Sequence, residues 1–272
     1  QALVLAGVVL VSACGRSEKP QPAAAGGPRA AGPSPRPSIL LVTLDTTRAD
    51  AIGPEAVGIE TPAFAAVAPR GRRFRQAYAT VPETLPSHSS MMTGLYPAGH
   101  GIHENARYLS EAHAVLAERL QQAGYRTAAF VSSFVLARRF GLARGFDVYD
   151  DTLPPASAER TAEATTARAL ALLAETSRQP LFLWVHYFDP HAPYTPPEPF
   201  RSRYAKAPYL GEVAAMDAQL GRLVQAVERH VAGPLGIVIV GDHGEGLGDH
   251  GESQHGNLVY QAQLTPTLIP FG

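Results

Sequence analysis

The chain predicts an α/β fold, a mostly parallel sheet sandwiched by helices. Three observations carry this. Four short apolar runs, at 38–44, 127–131, 181–188 and 237–240, are nearly continuous, as strands covered on both faces are. Segments of helical period lie between them, and alternation of that kind implies parallel pairing with helices on both faces. Three of the four runs finish in an aspartate, Asp45, Asp189 and Asp242, and open α/β sheets build their sites at the carboxyl ends of strands.

The elements follow in order. The first strand is Ser38-Ile39-Leu40-Leu41-Val42-Thr43-Leu44. Residues 61–71 read as a short helix, with Thr61 as N-cap and Pro62 at the first helical position. Residues 74–79 read as a short strand. Residues 86–93 read as a helix closed by Gly94. The span 112–123 places Val115, Leu116 and Leu120 at helical spacing before Gly124. The Ala-, Leu- and Glu-rich span 158–177 reads as a long helix. So does 209–231, with Val213, Met216, Leu220, Leu223, Val224 and Val227 on one stripe. Residues 264–272 begin a further apolar segment and stop, which reads as a domain cut short at its C-terminal subdomain.

Composition bounds the function. The 272 residues carry a net charge of −1 and are 45% hydrophobic, which suits one α/β domain or two small ones. Near-neutral charge without a Lys/Arg run argues against nucleic acid as a partner. Residues 1–14 read as a lipoprotein signal segment. Their apolar run is too short to span a bilayer and leads into Val11-Ser12-Ala13-Cys14, with the only cysteine of the chain. This resembles a bacterial lipoprotein signal and predicts a lipid anchor at the cell envelope. An ordinary signal peptide with a chance cysteine is the alternative. The initiator Met and a basic n-region are missing, so the start reads as clipped. Residues 15–37, rich in Pro, Gly, Ala and Ser, read as a flexible linker, and the catalytic domain as 38–272. With one cysteine, no disulfide forms within the chain.

Chemistry concentrates in three places. The run Ile237-Val238-Ile239-Val240 enters Gly241-Asp242-His243-Gly244-Glu245, where a carboxylate and an imidazole at a strand end read as metal ligands. A helix N-cap Asp beside an incidental His is the plainer reading. Asp45 ends the first strand. Third, Thr84-Leu85-Pro86-Ser87-His88 opens a helix, where the dipole and free N–H groups suit a phosphate or sulfate. A cation beside Thr84 would make its hydroxyl a nucleophile. Taken alone, the segment equally makes Thr84 an N-cap.

Together these segments resemble the sulfatase family of the alkaline phosphatase superfamily. The resemblance rests on Leu41-Val42-Thr43-Leu44-Asp45, on Thr84-Leu85-Pro86-Ser87-His88 with Thr93-Gly94, on Asp189-Pro190-His191-Ala192-Pro193-Tyr194, and on the stretch from Gly241 to Gly251. It implies an alkaline phosphatase-like fold and hydrolysis or transfer at a sulfate or phosphate ester. It implies a divalent cation held by Asp45, Thr84, Asp242 and His243, with Thr84 as nucleophile. It implies that His88, His191 and His255 meet the substrate, the last two also serving catalysis. The expected substrates are small-molecule, glycan or lipid-headgroup esters.

The chain departs from the family pattern in two ways. Sulfatases convert a Cys or Ser to formylglycine. Thr84 is neither, and His88 stands in place of the motif's Arg, which argues against formylglycine and for a phosphoester substrate. Thr46 follows Asp45 where many sulfatases have a second Asp, and His243 replaces a common Asn. Exchanging oxygen for imidazole shifts preference from Ca²⁺ toward Mn²⁺ or Zn²⁺. The missing formylglycine residue also supports an alternative, a non-catalytic binding protein of the same fold. Among the other histidines, His186 reads as a core residue, His100, His103 and His250 as loop residues at the pocket or in solvent, and His113 and His230 as surface. Asp217 reads as structural.

Overall fold

The computed structural model describes residues 36–74, 76–175, 179–257 and 259, and the backbone of 268–271. Residues 1–35, read above as a signal segment and most of a linker, lie outside them. The strands are β1 (Ser38–Leu44), β2 (Arg126–Phe130), β3 (Val148–Asp150), β4 (Leu181–Tyr187), β5 (Leu235–Gly241) and β6 (Leu268–Phe271). The helices are α1 (Pro62–Val67), α2 (Thr84–Thr93), α3 (Pro97–His100), α4 (Leu116–Gln122), α5 (Ala162–Leu173), α6 (Phe200–Arg203) and α7 (Pro208–His230). One sheet runs β3-β2-β4-β1-β5-β6, parallel except for β6. The apolar start at 264–272 therefore delivers an antiparallel edge strand. None of the described helices is long and apolar enough to cross a membrane.

Side-chain alternation along the strands makes three layers. Leu40, Val42 and Leu44 join Leu183, Val185, Ile237 and Ile239 against α1, α5 and α7. Leu41, Phe182 and Trp184 face the other way, onto Leu85 and Met92 of α2. Both faces of the central strands are thus buried, which is why β1 and β4 lack polar alternation. Thr43 and His186 lie on the α2 face by the same period-2 rule. Asp217 is buried in α7 and accepts from the backbone N–H groups of Ala63 and Phe64, both at 2.9 Å. It caps α1, the structural role its sequence position suggested.

Four expectations need correction. The described residues of 74–79 form no strand of the sheet; Phe74 and Tyr78 are 47% and 62% exposed, so the two large side chains of the segment do not bury into the core. Helix α4 starts at Leu116 rather than 112, because the Glu118 carboxylate accepts from the Val115 N–H (2.9 Å) and closes the first turn there. Helix α5 starts at Ala162 rather than 158. Glu159 bridges Ser133, and the Arg160 side chain is buried with the Val131 carbonyl and Asp150, which holds that stretch extended. The end of α5 at Leu173 also falls short of 177; residues 176–178 lie outside those described.

Candidate active site

The register brings the site together. Leu44 pairs with Tyr187 on one side and Gly241 on the other. The ladder runs one step further, with the Asp45 N–H donating to the Tyr187 carbonyl (2.9 Å) and the Asp242 N–H to the Leu44 carbonyl (3.2 Å). Asp45 and Asp242 therefore emerge side by side from adjacent central strands. Thr46 then takes a left-handed turn (φ 47°), its hydroxyl donating to the Pro190 carbonyl. Helix α2 is held against this edge by the Ser87 hydroxyl, which donates to the Asp242 carbonyl (2.7 Å). That contact places Thr84, the first residue of α2, over the strand ends.

Asp45, Asp242, His243 and Thr84 all converge. The Thr84 hydroxyl lies 3.3 Å from Asp45 Oδ2 and 3.5 Å from His243 Nε2. His243 Nε2 is 3.6 Å from Asp45 Oδ1 and 3.5 Å from Asp242 Oδ2. His243 Nδ1 faces the Gly244 carbonyl at 3.0 Å, so Nδ1 carries the proton and Nε2 presents a lone pair. The Asp242 Oδ1 accepts from the His243 N–H at 2.7 Å. Asp45 Oδ1 and Asp242 Oδ2 are buried and have no hydrogen-bond partner among the described residues. Two orphaned carboxylate oxygens and one imidazole lone pair thus face each other in a buried site. Spacings of 3.5 to 3.6 Å suit donors each about 2.1 Å from a shared ion. Asp45, Asp242 and His243 fit a divalent cation.

Electrostatics agree. Burial pushes the Asp45 carboxyl up, but its hydrogen bond to His186 and the favourable electrostatics of the neighbouring His243 and His186 rings outweigh this and hold it well below the usual carboxylate range. Burial and the Asp45 charge push Asp242 well above that range. Burial lowers His243 to about 4, so it is neutral and ready to ligate at pH 7.

His186 was read as a plain core residue, and it is fully buried. It also reaches the site, with Nε2 at 3.3 Å from Asp45 Oδ2. Its Nδ1 accepts from the Ser132 N–H (3.3 Å), which leaves the proton on Nε2, directed at Asp45. His88 is equally buried and stacks edge-on to His186 with 5.1 Å between ring centroids. Together with Asp242 these rings make a second metal-like grouping. Both rings spend their facing protons on hydrogen bonds to Thr84 and Asp45, so only the Asp45–Asp242–His243 set presents free lone pairs.

His191 and His255 line the approach. Their rings meet edge-on at 5.2 Å, and His255 lies 4.5 Å from the His243 ring. His191 stacks on Phe188 at 4.1 Å. His255 Nδ1 is 3.1 Å from Glu245 Oε1, and Tyr194 donates to Glu245 Oε2 at 3.0 Å. Burial works against a charged His255, yet the Glu245 hydrogen bond more than offsets it and raises its proton affinity.

Three expectations fail here. The third strand-end aspartate does not join the cluster: Asp189 accepts from the Ala162 N–H (2.6 Å) and caps α5. It borders a separate cavity of about 300 Å³ with Glu159, Glu212 and one face of His191. The start of α2 also offers few free donors. The Leu85 N–H donates to Asn105 (2.9 Å), Pro86 has none, and the Ser87 N–H bonds Glu83 (3.1 Å). Positive charge for an anion must come from elsewhere. His100 neither lines the pocket nor meets solvent. It is buried, 2.9 Å from the Ser90 hydroxyl, and accepts from the Ile102 N–H.

Comparison with known proteins agrees with this geometry. The family model described as Sulfatase matches residues 37–271. An ulvan-active sulfatase of Formosa agariphila is 31% identical over 94 residues, covering 34% of this chain and 18% of that protein. An arylsulfatase of Clostridium perfringens is 32% identical over 95 residues, covering 34% and 20%. The alignments thus span about a fifth of these curated relatives. The phosphonate monoester hydrolase of Agrobacterium radiobacter superposes with a TM-score of 0.73 at 19% identity, covering 86% of this chain and 68% of that one. It shares the fold, a parallel sheet flanked by helices.

Proposed function

The chain belongs to the sulfatase family, and on that premise we propose that it is a metal-dependent ester hydrolase or transferase with Thr84 as nucleophile. The observation that carries this is the Thr84 hydroxyl at 3.3 Å from Asp45 and 3.5 Å from His243, beside two unpartnered carboxylate oxygens. A divalent cation held by Asp45, Asp242 and His243, with Thr84 alongside, would supply Lewis-acid stabilisation and favour the Thr84 alkoxide.

The side chains do the rest. The Thr84 hydroxyl donates to Asp45 Oδ2, which orients Oγ1 toward the ester, and its proton leaves to water as the alkoxide forms. Thr84 Oγ1 then bonds to the phosphorus or sulfur of the ester as the bond to the leaving oxygen breaks. His191 and His255, on the approach side, bind the anion and return a proton to the leaving oxygen. Water or an acceptor hydroxyl resolves the intermediate. A threonyl phosphate has that exit. A threonyl sulfate lacks the second hydroxyl by which formylglycine hydrates expel sulfate. We therefore favour phosphoesters, the relatives' names notwithstanding. A lipid anchor at Cys14 would present the site to glycan or lipid-headgroup esters at the cell envelope.

Brief incubation with paired aryl phosphate and aryl sulfate, followed by peptide mass spectrometry, tests this. A phosphate adduct on Thr84 that is absent from Thr84→Ala is the expected result. Sulfate release with unmodified Thr84, or full activity in Thr84→Ala, would refute it.

A further inference from the structure

We propose that His88 is a positioning residue for the nucleophile, the last link of a buried relay from Trp184 through Thr43. This rests on the reading of Thr84 as the attacking group. His88 stands where the family motif has an arginine, and its sequence position suggested substrate contact. Its surroundings assign it a different task. The ring is fully buried, and both nitrogens are taken. Nδ1 lies 2.7 Å from the Thr84 carbonyl and Nε2 lies 2.9 Å from the Thr43 hydroxyl.

The direction of each hydrogen bond follows from donor counting. The Trp184 indole has only a proton to give, and it gives it to Thr43 Oγ1 at 3.0 Å. A carbonyl can only accept, so His88 Nδ1 must carry the proton facing Thr84. The ring is fully buried, where a neutral imidazole with a single proton costs far less than a cation; Asp242 Oδ2 lies farther from Nδ1, at 3.5 Å, than the Thr84 carbonyl. Nε2 is then an acceptor, and the Thr43 hydroxyl donates to it. The chain reads Trp184 N–H to Thr43 O–H to His88 Nδ1–H to the Thr84 carbonyl. All four groups are buried, with no water route to compete. Bonds in such a series polarise one another.

The relay acts on the backbone of the residue that attacks. The side chains of Thr43 and Trp184 rise from β1 and β4 on the face under α2. They fix the His88 tautomer and, through it, the first turn of α2 against the rigid centre of the sheet. The Thr84 hydroxyl is thereby held over Asp45 by sheet rather than by loop. Displacement of a nucleophile by a fraction of an ångström costs turnover more than binding.

The test uses the whole chain, and the chain has a single tryptophan. Its one indole ¹H–¹⁵N signal reports the first hydrogen bond directly. Thr43→Val removes the hydroxyl at nearly constant volume, and Thr43→Ser keeps it. In Thr43→Val the indole signal should move and kcat on the better aryl ester should fall by about tenfold or more, with KM changed less than about twofold. Thr43→Ser should restore both. His88→Asn, whose amide can donate where Nδ1–H does, should keep more activity than His88→Leu. Unchanged kcat in Thr43→Val with a displaced indole signal would overturn the proposal. So would a His88 ring found protonated at Nε2 by ¹⁵N correlation. Should Thr43→Val fail to fold, the comparison of Thr43→Ser with wild type and of His88→Asn with His88→Leu decides; equal loss in the two His88 variants overturns positioning. A wild-type chain inert on both esters would refute the proposed function itself, a result distinct from active enzyme with an idle relay.

Discussion

Replacing Asp242 by Asn should stabilise the metal-free protein and abolish its response to metal. Burial and the neighbouring Asp45 carboxylate raise the Asp242 carboxyl well above its unfolded value of 3.8. The folded pKa exceeds the unfolded one, so the penalty is absent below pH 3.8 and grows as pH rises toward the folded value. The penalty builds by at most about 1.4 kcal/mol per pH unit over that interval. Asn removes that cost. Its oxygen still accepts from the His243 N–H, and its amide can donate to Asp45 Oδ1, the neighbouring oxygen with no partner. Without metal at pH 7, Asp242→Asn should melt above wild type, by about 2–4 °C for each kcal/mol removed in a domain this size. The gap should close toward pH 4. With Mn²⁺ or Zn²⁺ at 100 times Kd, wild type should gain about 2.7 kcal/mol and the variant almost nothing. Calorimetry from pH 4 to 8, with chelator or added ion, measures both. A metal-free variant that melts below wild type at pH 7, or one that gains as much from the ion, would refute the shared-charge account of the site.

Other sites give sharper structural tests. Asp217→Ala strands the N–H groups of Ala63 and Phe64, and urea unfolding should show a loss of about 2–5 kcal/mol with an unchanged metal response. A Cβ on Gly145 would sit 2.2 Å from the Glu118 nitrogen at φ 75°, so Gly145→Ala should lose more than about 2 kcal/mol. Gly94→Ala, also left-handed but in open space, should lose only about 1 kcal/mol; equal losses in the same melts would discredit the steric argument. Burial raises Glu212 to about 8 from 4.5, so its contribution destabilises as pH climbs between those values. Glu212→Gln keeps the acceptor for the Thr195 N–H and should flatten that slope; parallel pH–stability curves would count against it.

Much of this architecture was legible from apolar runs and their endings. Both faces of β1 and β4 are buried, so the hydrophobic signal had no polar interruption, and Asp45 and Asp242 stood out where it ceased. The helix boundaries were less legible, because side chains from elsewhere decide them: Glu118 starts α4, and the burial of Arg160 delays α5. Asp189 misled because an aspartate at a strand end can equally cap the next helix. His186 was missed because an imidazole inside an apolar run looks like filler. The available signal was its parity with Trp184 along β4, which puts it on the face beneath α2. His88 was noticed for the wrong reason. Its motif position suggested reach toward substrate, and only the sheet beneath it shows that both its nitrogens are engaged.

The strand order has a temporal consequence. Strand β1 is the first element of the sheet and β5 the last of its parallel members, yet they lie side by side and set Asp45 against Asp242, 197 residues apart. Loop closure over that distance comes late relative to local helices and to β2–β3 pairing. A nascent chain that has not yet delivered β5 has neither Asp242 nor His243 to complete the cluster. The site cannot exist in a half-built form, and a cation would find its full set of donors only once the last parallel strand along the chain has docked. Metal capture would then serve as a clock for a late step of assembly: the ion would register that the first and last parallel strands along the chain have met.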